Sequence, residues 1–231
     1  MRDRVGKEMV RRVLARIVPR NWVLWRGAEQ SRAIALTFDD GPHGKFTTEC
    51  LEILEENDTR ATFFLVGERI ENELDIARQI VERGHEVGSH TYSHRSCKEV
   101  GIRCYVREIR KGVEVLEQRL GVKSATFRPP CLEFKLGVIL YCVSKGVTCV
   151  FGSRISEDWR RISEEDIERK VGFGDLGGGE IIVFHDDNEF TLNVLRRRIK
   201  WLKERGFEFV TVSEFKKDGK RRREDRACGL Q

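Results

Sequence analysis

The sequence predicts an α/β protein: a parallel sheet covered by helices, closed as a barrel or left open, in one domain. Three observations carry this. Short continuous apolar runs recur along the chain, as strands buried on both faces require. Amphipathic stretches of helical period separate them, so strand and helix alternate. Neither a linker nor a repeat of fixed period interrupts residues 33–215.

Ala33 to Phe38 reads as the first buried strand, followed by a helix around residues 47–57 and a strand from Ala61 to Val66. Residues 68–83 place Ile70, Leu74, Ala77, Ile80 and Val81 on one helical face, and Gly84 ends it. Glu86 to Gly88 is a short strand, residues 103–120 a helix, and Ala125 to Phe127 another strand. A helix near 134–145 leads into Val147 to Phe151, and a helix over 163–171 and a Gly-rich turn precede Ile181 to Phe184. A helix over 190–205 and a last strand, Phe207 to Val212, complete the pattern, with Ser213 as the expected N-cap of a short closing helix.

Composition narrows the function classes. The 231 residues are 39% hydrophobic and 35% charged, with a mean hydropathy of −0.46. No apolar run approaches the ~20 residues of a spanning helix. The net charge of +5 is uneven: residues 1–32 carry +6, residues 216–226 carry +4, and the body between them carries −5. No basic–aromatic interleaving accompanies the basic ends, so nucleic acid is not expected as a partner. Seven cysteines without a C-x-x-C pair argue against both a disulfide framework and a cysteine zinc site.

Arg11, Arg12 and Arg16 interrupt every apolar stretch that could serve as an export signal. Val5, Met9, Val13, Leu14, Ile17 and Val18 recur instead at helical spacing opposite a basic face, up to Pro19. The expected organisation is a basic amphipathic helix and lead-in over 1–32, a catalytic domain over 33–215 and a polar basic tail over 216–231. The helix is expected to pack on the domain, or to touch a membrane surface through residues 1–20. With no export signal read, the expected location is the cytoplasm, including the inner face of its membrane.

The polar residues collect at the carboxyl ends of the expected strands. Asp39 and Asp40 follow the first, His90 and His94 the third, Arg128 the fourth and His185 the strand ending at Phe184. In a parallel β/α fold those ends share one face, so these residues converge. His90 and His94, if helical, stand one turn apart on one side and suit one metal, and two histidines with one aspartate are a hydrolytic zinc arrangement. Adjacent Asp39 and Asp40 point in different directions, so one can bind metal while its neighbour faces the substrate.

The segments Thr37-Phe38-Asp39-Asp40-Gly41-Pro42, His90-Thr91-Tyr92-Ser93-His94, Arg128-Pro129-Pro130, Asp158-Trp159 and Val183-Phe184-His185 stand in this order. In them the chain resembles the polysaccharide deacetylases, the NodB-homology domain of carbohydrate esterase family four, over roughly residues 33–215. The resemblance implies a distorted (β/α) barrel of seven or eight strands. It implies a divalent metal on Asp40, His90 and His94, most often zinc, with cobalt, nickel or manganese also compatible. Asp39 would then be the general base, Arg128 its tether and His185 the general acid, with Pro130, Cys131 and Trp159 on the substrate and oxyanion side. The implied activity is removal of acetyl groups from N-acetylated amino sugars in an oligosaccharide, a polysaccharide or a lipid-linked glycan, by a metal-activated water.

Two departures from the family pattern matter. Cys131 stands where an aromatic is usual, which alters the sugar-stacking wall. Ile155 stands where the family has the aspartate that charges its catalytic histidine, so His185 is expected to be less basic than usual unless Asp158 or Asp186 takes that place. Hydrolysis of another linear or cyclic amide, or an inactive carbohydrate-binding relative, are the other readings.

Overall fold

The structure, a computed structural model, describes residues 18–133 and 135–215. The basic N-terminal helix, apart from Val18, and the tail beyond residue 215 lie outside the described residues. Nine strands form one all-parallel sheet. In chain order they are β1 (Val23–Leu24), β2 (Ala33–Asp39), β3 (Thr62–Leu65), β4 (Glu86–Ser89), β5 (Thr126–Phe127), β6 (Thr148–Val150), β7 (Arg154–Ile155), β8 (Ile181–His185) and β9 (Glu208–Phe209). The spatial order is β1-β6-β5-β4-β3-β2-β8-β7, with β9 added at the start of β2.

Among the described residues seven α-helices of at least six residues cover it: α1 (Gly44–Glu56), α2 (Gly67–Asn72), α3 (Leu74–Glu82), α4 (Cys97–Leu120), α5 (Leu136–Ser144), α6 (Glu164–Val171) and α7 (Glu189–Glu204). This is the expected (β/α) barrel. The two ends of the sheet, β1 and β7, share no ladder, yet two residues of chain bridge the seam. Phe151 donates its N–H to Leu24 at 2.8 Å, and Ser153 donates to Ile181 at 2.9 Å. Gly152 between them has no room for a side chain, since a Cβ there would sit 2.2 Å from Val183.

β2 is buried along its whole length and pairs with β3 and β8 in the middle of the sheet. Ile34, Leu36 and Phe38 pack there with Phe63, Phe184 and the apolar faces of α1, α6 and α7. Burial of such side chains contributes roughly 1.5–3 kcal/mol each, so the strand whose end carries Asp39 is the best-anchored part of the fold.

Several boundaries differ from the sequence expectation. The lead-in drawn before residue 33 contributes β1, whose Val23 and Leu24 are buried and pair with Cys149 and Val150. The apolar run Trp22 to Trp25 was the available signal. The helix expected over 103–120 starts six residues earlier. Ser96 and Glu99 form a reciprocal capping box, and the chain then passes Gly101 at φ 73°, which hides the periodicity of the first turn. The helix expected over 68–83 is two, broken at Glu73.

The last strand shrinks from six residues to Glu208–Phe209. The short closing helix is present from residue 212, but Thr211 rather than Ser213 caps it, with its N–H and hydroxyl both donating to Glu214. Ser213 is therefore not the N-cap. Its hydroxyl donates to Glu86 at 2.6 Å.

The His90–His94 segment is also not helical. It is an irregular loop after β4, with Thr91 at φ 69° and His94 at φ 58°. Such angles are uncommon for non-glycine residues and for β-branched threonine especially. The loop holds because its carbonyls are claimed. Gly67 and Glu68, at the start of α2, donate to Thr91 at 3.0 Å and to Tyr92 at 2.8 Å. From the other side α4 presses Gly112 against it, where a Cβ would lie 2.8 Å from the Thr91 carbonyl. Gly112→Ala should therefore displace the loop, cost about 1–3 kcal/mol of stability, and weaken divalent-metal binding measured by calorimetry. Unchanged affinity would separate this contact from the placement of the histidines.

Candidate active site

The strand ends bring the expected residues together. Asp40 leaves the end of β2 at φ 70° and is followed by a cis Gly41–Pro42 peptide. The Asp40 Oδ1 atom lies 3.2 Å from His90 Nε2 and 2.9 Å from His94 Nε2. One donor atom from each of the three residues falls within 4.8 Å of the others. His90 Nδ1 lies 2.7 Å from the Arg128 carbonyl, so it carries the hydrogen and donates it. Nε2 then keeps a lone pair aimed at a carboxylate oxygen that is buried and has no hydrogen-bond donor of its own. Two acceptors facing one another at that distance need a cation or a proton between them. One oxygen and two imidazole nitrogens are the donor set of a divalent transition metal with open positions, and the residues fit such an ion. Burial alone would raise the pKa of Asp40, but the two histidines outweigh it and keep the carboxylate charged.

Asp39, one residue earlier, faces elsewhere. Its Oδ1 accepts a hydrogen bond at 2.7 Å from Arg128, which also donates to Thr37 at 2.7 Å and lies over the Phe64 ring at 4.1 Å. Arg128 is fully buried, so this is an enclosed ion pair. Removing either partner would leave a charge without solvent, at a cost of roughly 3–5 kcal/mol.

His185 ends β8 on the other side of Asp40, with Nε2 3.9 Å from Asp40 Oδ2. Its partner is Asp158. Asp158 Oδ1 lies 2.7 Å from His185 Nδ1, and Oδ2 accepts from the His185 N–H and the Thr191 hydroxyl, both at 2.8 Å. Burial works against the charged imidazole, but the bond and charge of Asp158, together with Asp39 and Asp40, push its pKa up to about 9. Asp158 thus takes the place left open between it and Asp186, and His185 is not left less basic. Ile155 sits in β7 opposite Val183, and the carboxylate arrives three residues later, on the turn Asp158–Arg160. Asp186 does not compete for the role. It is buried, accepts from the Thr47 hydroxyl, and is pushed up to about 7 by burial.

Trp159 stands edge-on to His185, ring centres 5.3 Å apart, and is 45% exposed. Across the site Pro130 is buried and Cys131, at φ 55°, exposes its side chain. The six described cysteines are all free. Sequence reasoning passed over two neighbours. Arg69 donates to the Asp40 carbonyl, and to His43 Nε2 at 2.7 Å. Burial and the Arg69 charge push His43 down to about 4, so it is neutral. Its position directly after Gly41-Pro42 was the available signal.

A parallel β/α barrel with an Asp-His-His cluster, a tethered carboxylate and a carboxylate-paired histidine at its strand ends defines a hydrolase-type site whose cluster fits a divalent metal. Comparison with known proteins places it further. Residues 26–150 match the family described as polysaccharide deacetylase, and the chain belongs to that family. A peptidoglycan-N-acetylglucosamine deacetylase of Bacillus cereus is 31% identical over 214 residues, covering 89% of this chain and 78% of that protein. A crystal structure of a peptidoglycan N-acetylglucosamine deacetylase superposes with a TM-score of 0.80 at 30% identity, covering 84% of this chain and 92% of the other. A pseudoenzyme of the same carbohydrate esterase family from Bacillus anthracis superposes at 0.78 with 25% identity, over 84% of this chain and 68% of that one.

The His185–Asp158 pair predicts its own titration. The imidazole of the metal-free protein should lose its proton near pH 9 by NMR, and in Asp158→Asn at a clearly lower pH. Because the folded value lies above the ordinary 6.5, the pair's stabilisation is complete below about pH 6.5 and lost as pH rises through about 9. An unmoved titration in the variant would show that Asp158 does not set it.

Proposed function

We propose that this chain removes the acetyl group from N-acetylated amino sugars within an oligosaccharide, a polysaccharide or a lipid-linked glycan, releasing acetate and a free amine. One observation carries the reading. A proton acceptor and a proton donor, each fixed by its own buried partner, flank a single Asp-His-His cluster. Relatives that bear the name peptidoglycan-N-acetylglucosamine deacetylase support the choice of an acetylated hexosamine.

Asp40, His90 and His94 would hold the divalent ion, with zinc the first choice for this donor set. When bound, that ion supplies Lewis-acid polarisation of the acetyl carbonyl. Asp39 takes a proton from the attacking water. Its second oxygen is held by Arg128, so the carboxylate meets the water in one orientation. The peptide N–H of Cys131 serves as a main-chain donor to the oxyanion, a role indifferent to the cysteine side chain. His185 keeps Nδ1 on Asp158 and delivers the proton of Nε2 to the amide nitrogen as the C–N bond breaks. An amine anion would otherwise be too poor a leaving group. Trp159, exposed beside His185, offers an apolar wall for the sugar ring.

The test is acetate and amine release from acetylated oligosaccharides by metal-loaded protein. Asp40→Ala, His90→Ala and His94→Ala should each lose both stoichiometric metal and turnover. Full metal occupancy in the His94 variant would refute the ligand set. Asp39→Asn should keep its metal and lose at least ~10²-fold in turnover, the contribution of a positioned base. Loss of metal in that variant would exchange the roles of the two aspartates. An inactive carbohydrate-binding protein would release no acetate from any of these substrates.

A further inference from the structure

Among the described residues only five large apolar side chains are strongly exposed, and three of them form one patch: Ile102 (47%), Leu136 (64%) and Leu140 (48%). Leu136 and Leu140 lie one turn apart on α5. Ile102, early in α4, rests on Gly137, where a Cβ would meet its Cδ1 atom at 2.5 Å. Both helices follow strand ends that carry the site, and the Lys98–Glu133 ion pair, at 3.0 Å, joins the start of α4 to the loop that bears Cys131. The patch therefore lies on the rim of the site face.

Its surroundings are basic. Residues 95–111 carry a net charge of +4, and Arg95, Arg103, Arg107, Lys135 and Lys145 are exposed. The described chain begins at Val18, which packs on the buried cluster that includes Tyr105, Val138 and Ile139 from the same region. Residues 1–17 are the obvious candidate to cover the patch, but they too carry +4. Like charges keep that segment and the basic rim from neutralising one another. Their common complement is anionic, and three exposed aliphatic side chains require it to be apolar below its charge.

We propose that the face built from Ile102, Leu136 and Leu140, with its basic rim, docks on an anionic lipid surface and turns the strand-end site toward that surface. The proposal does not depend on the deacetylase reading. Apolar burial and attraction to anionic headgroups act together in such contacts, and salt weakens the second.

The test is co-sedimentation of the full chain with phosphatidylcholine vesicles and with vesicles of equal parts phosphatidylcholine and phosphatidylglycerol. Binding is expected only to the second kind, and should fall as salt is raised. The double variant Leu136→Ser/Leu140→Ser should bind at least ~10-fold more weakly, and Arg103→Gln/Lys135→Gln should weaken binding most at low salt. Both substitute exposed positions, and their thermal midpoints report that they remain folded. Failure of the intact chain to bind anionic vesicles would overturn the proposal. Equal binding by the leucine variant would also overturn it and assign the contact to another surface.

Discussion

Arg128 is buried completely, and a guanidinium without solvent must satisfy its charge inside the protein. Asp39 supplies the counter-charge, Thr37 and the Val150 carbonyl accept further hydrogen bonds, and the Phe64 ring lies beneath it. Its main chain works as well, because its carbonyl accepts the Nδ1 proton of His90 and so sets which nitrogen of that ring faces Asp40. One residue of β5's end thus fixes the tethered carboxylate, the tautomer of one imidazole in the Asp-His-His cluster and the relation between β2, β4 and β6. The remaining groups of the site are arranged around that arginine.

The second constraint is backbone strain held by packing. Asp40, Thr91, His94 and Cys131, all at the site, adopt positive φ, a conformation that costs non-glycine residues free energy and persists only where neighbours enforce it. Here the enforcement is visible. The first N–H groups of α2 hold the Thr91 and Tyr92 carbonyls, Gly112 lets α4 approach the loop, and Arg69 holds the Asp40 carbonyl.

Three carboxylates near the site behave differently because their surroundings differ. Asp40 is kept charged by two histidines, Asp158 is spent on His185, and for Asp186 burial outweighs the Thr47 hydroxyl and a backbone hydrogen bond and lifts it toward neutrality. His43 and His185 separate in the same way. Beside a guanidinium His43 is neutral, and beside a carboxylate His185 holds its proton. A donor and several acceptors can therefore coexist around neutral pH within a few ångströms.

The sequence by itself determined the order of strands and helices, the gathering of Asp39, Asp40, His90, His94, Arg128 and His185 on one face, and the family. Those follow from periodicity and from the rule that parallel strand ends share a side, and from motifs whose residues are contiguous. Tertiary structure alone decided what depends on contacts between distant segments. β1 exists because β6 pairs with it, and the His90–His94 loop is irregular because α2 and α4 hold it so. The partner of His185 was open between two aspartates. Asp158 takes it because the turn after β7 carries that carboxylate to Nδ1, while Asp186, adjacent in sequence, points away to Thr47 on α1. Local pattern specifies which face of an element is buried, but the direction of a polar side chain on a loop is set by whatever packs against that loop, and no single segment contains that information.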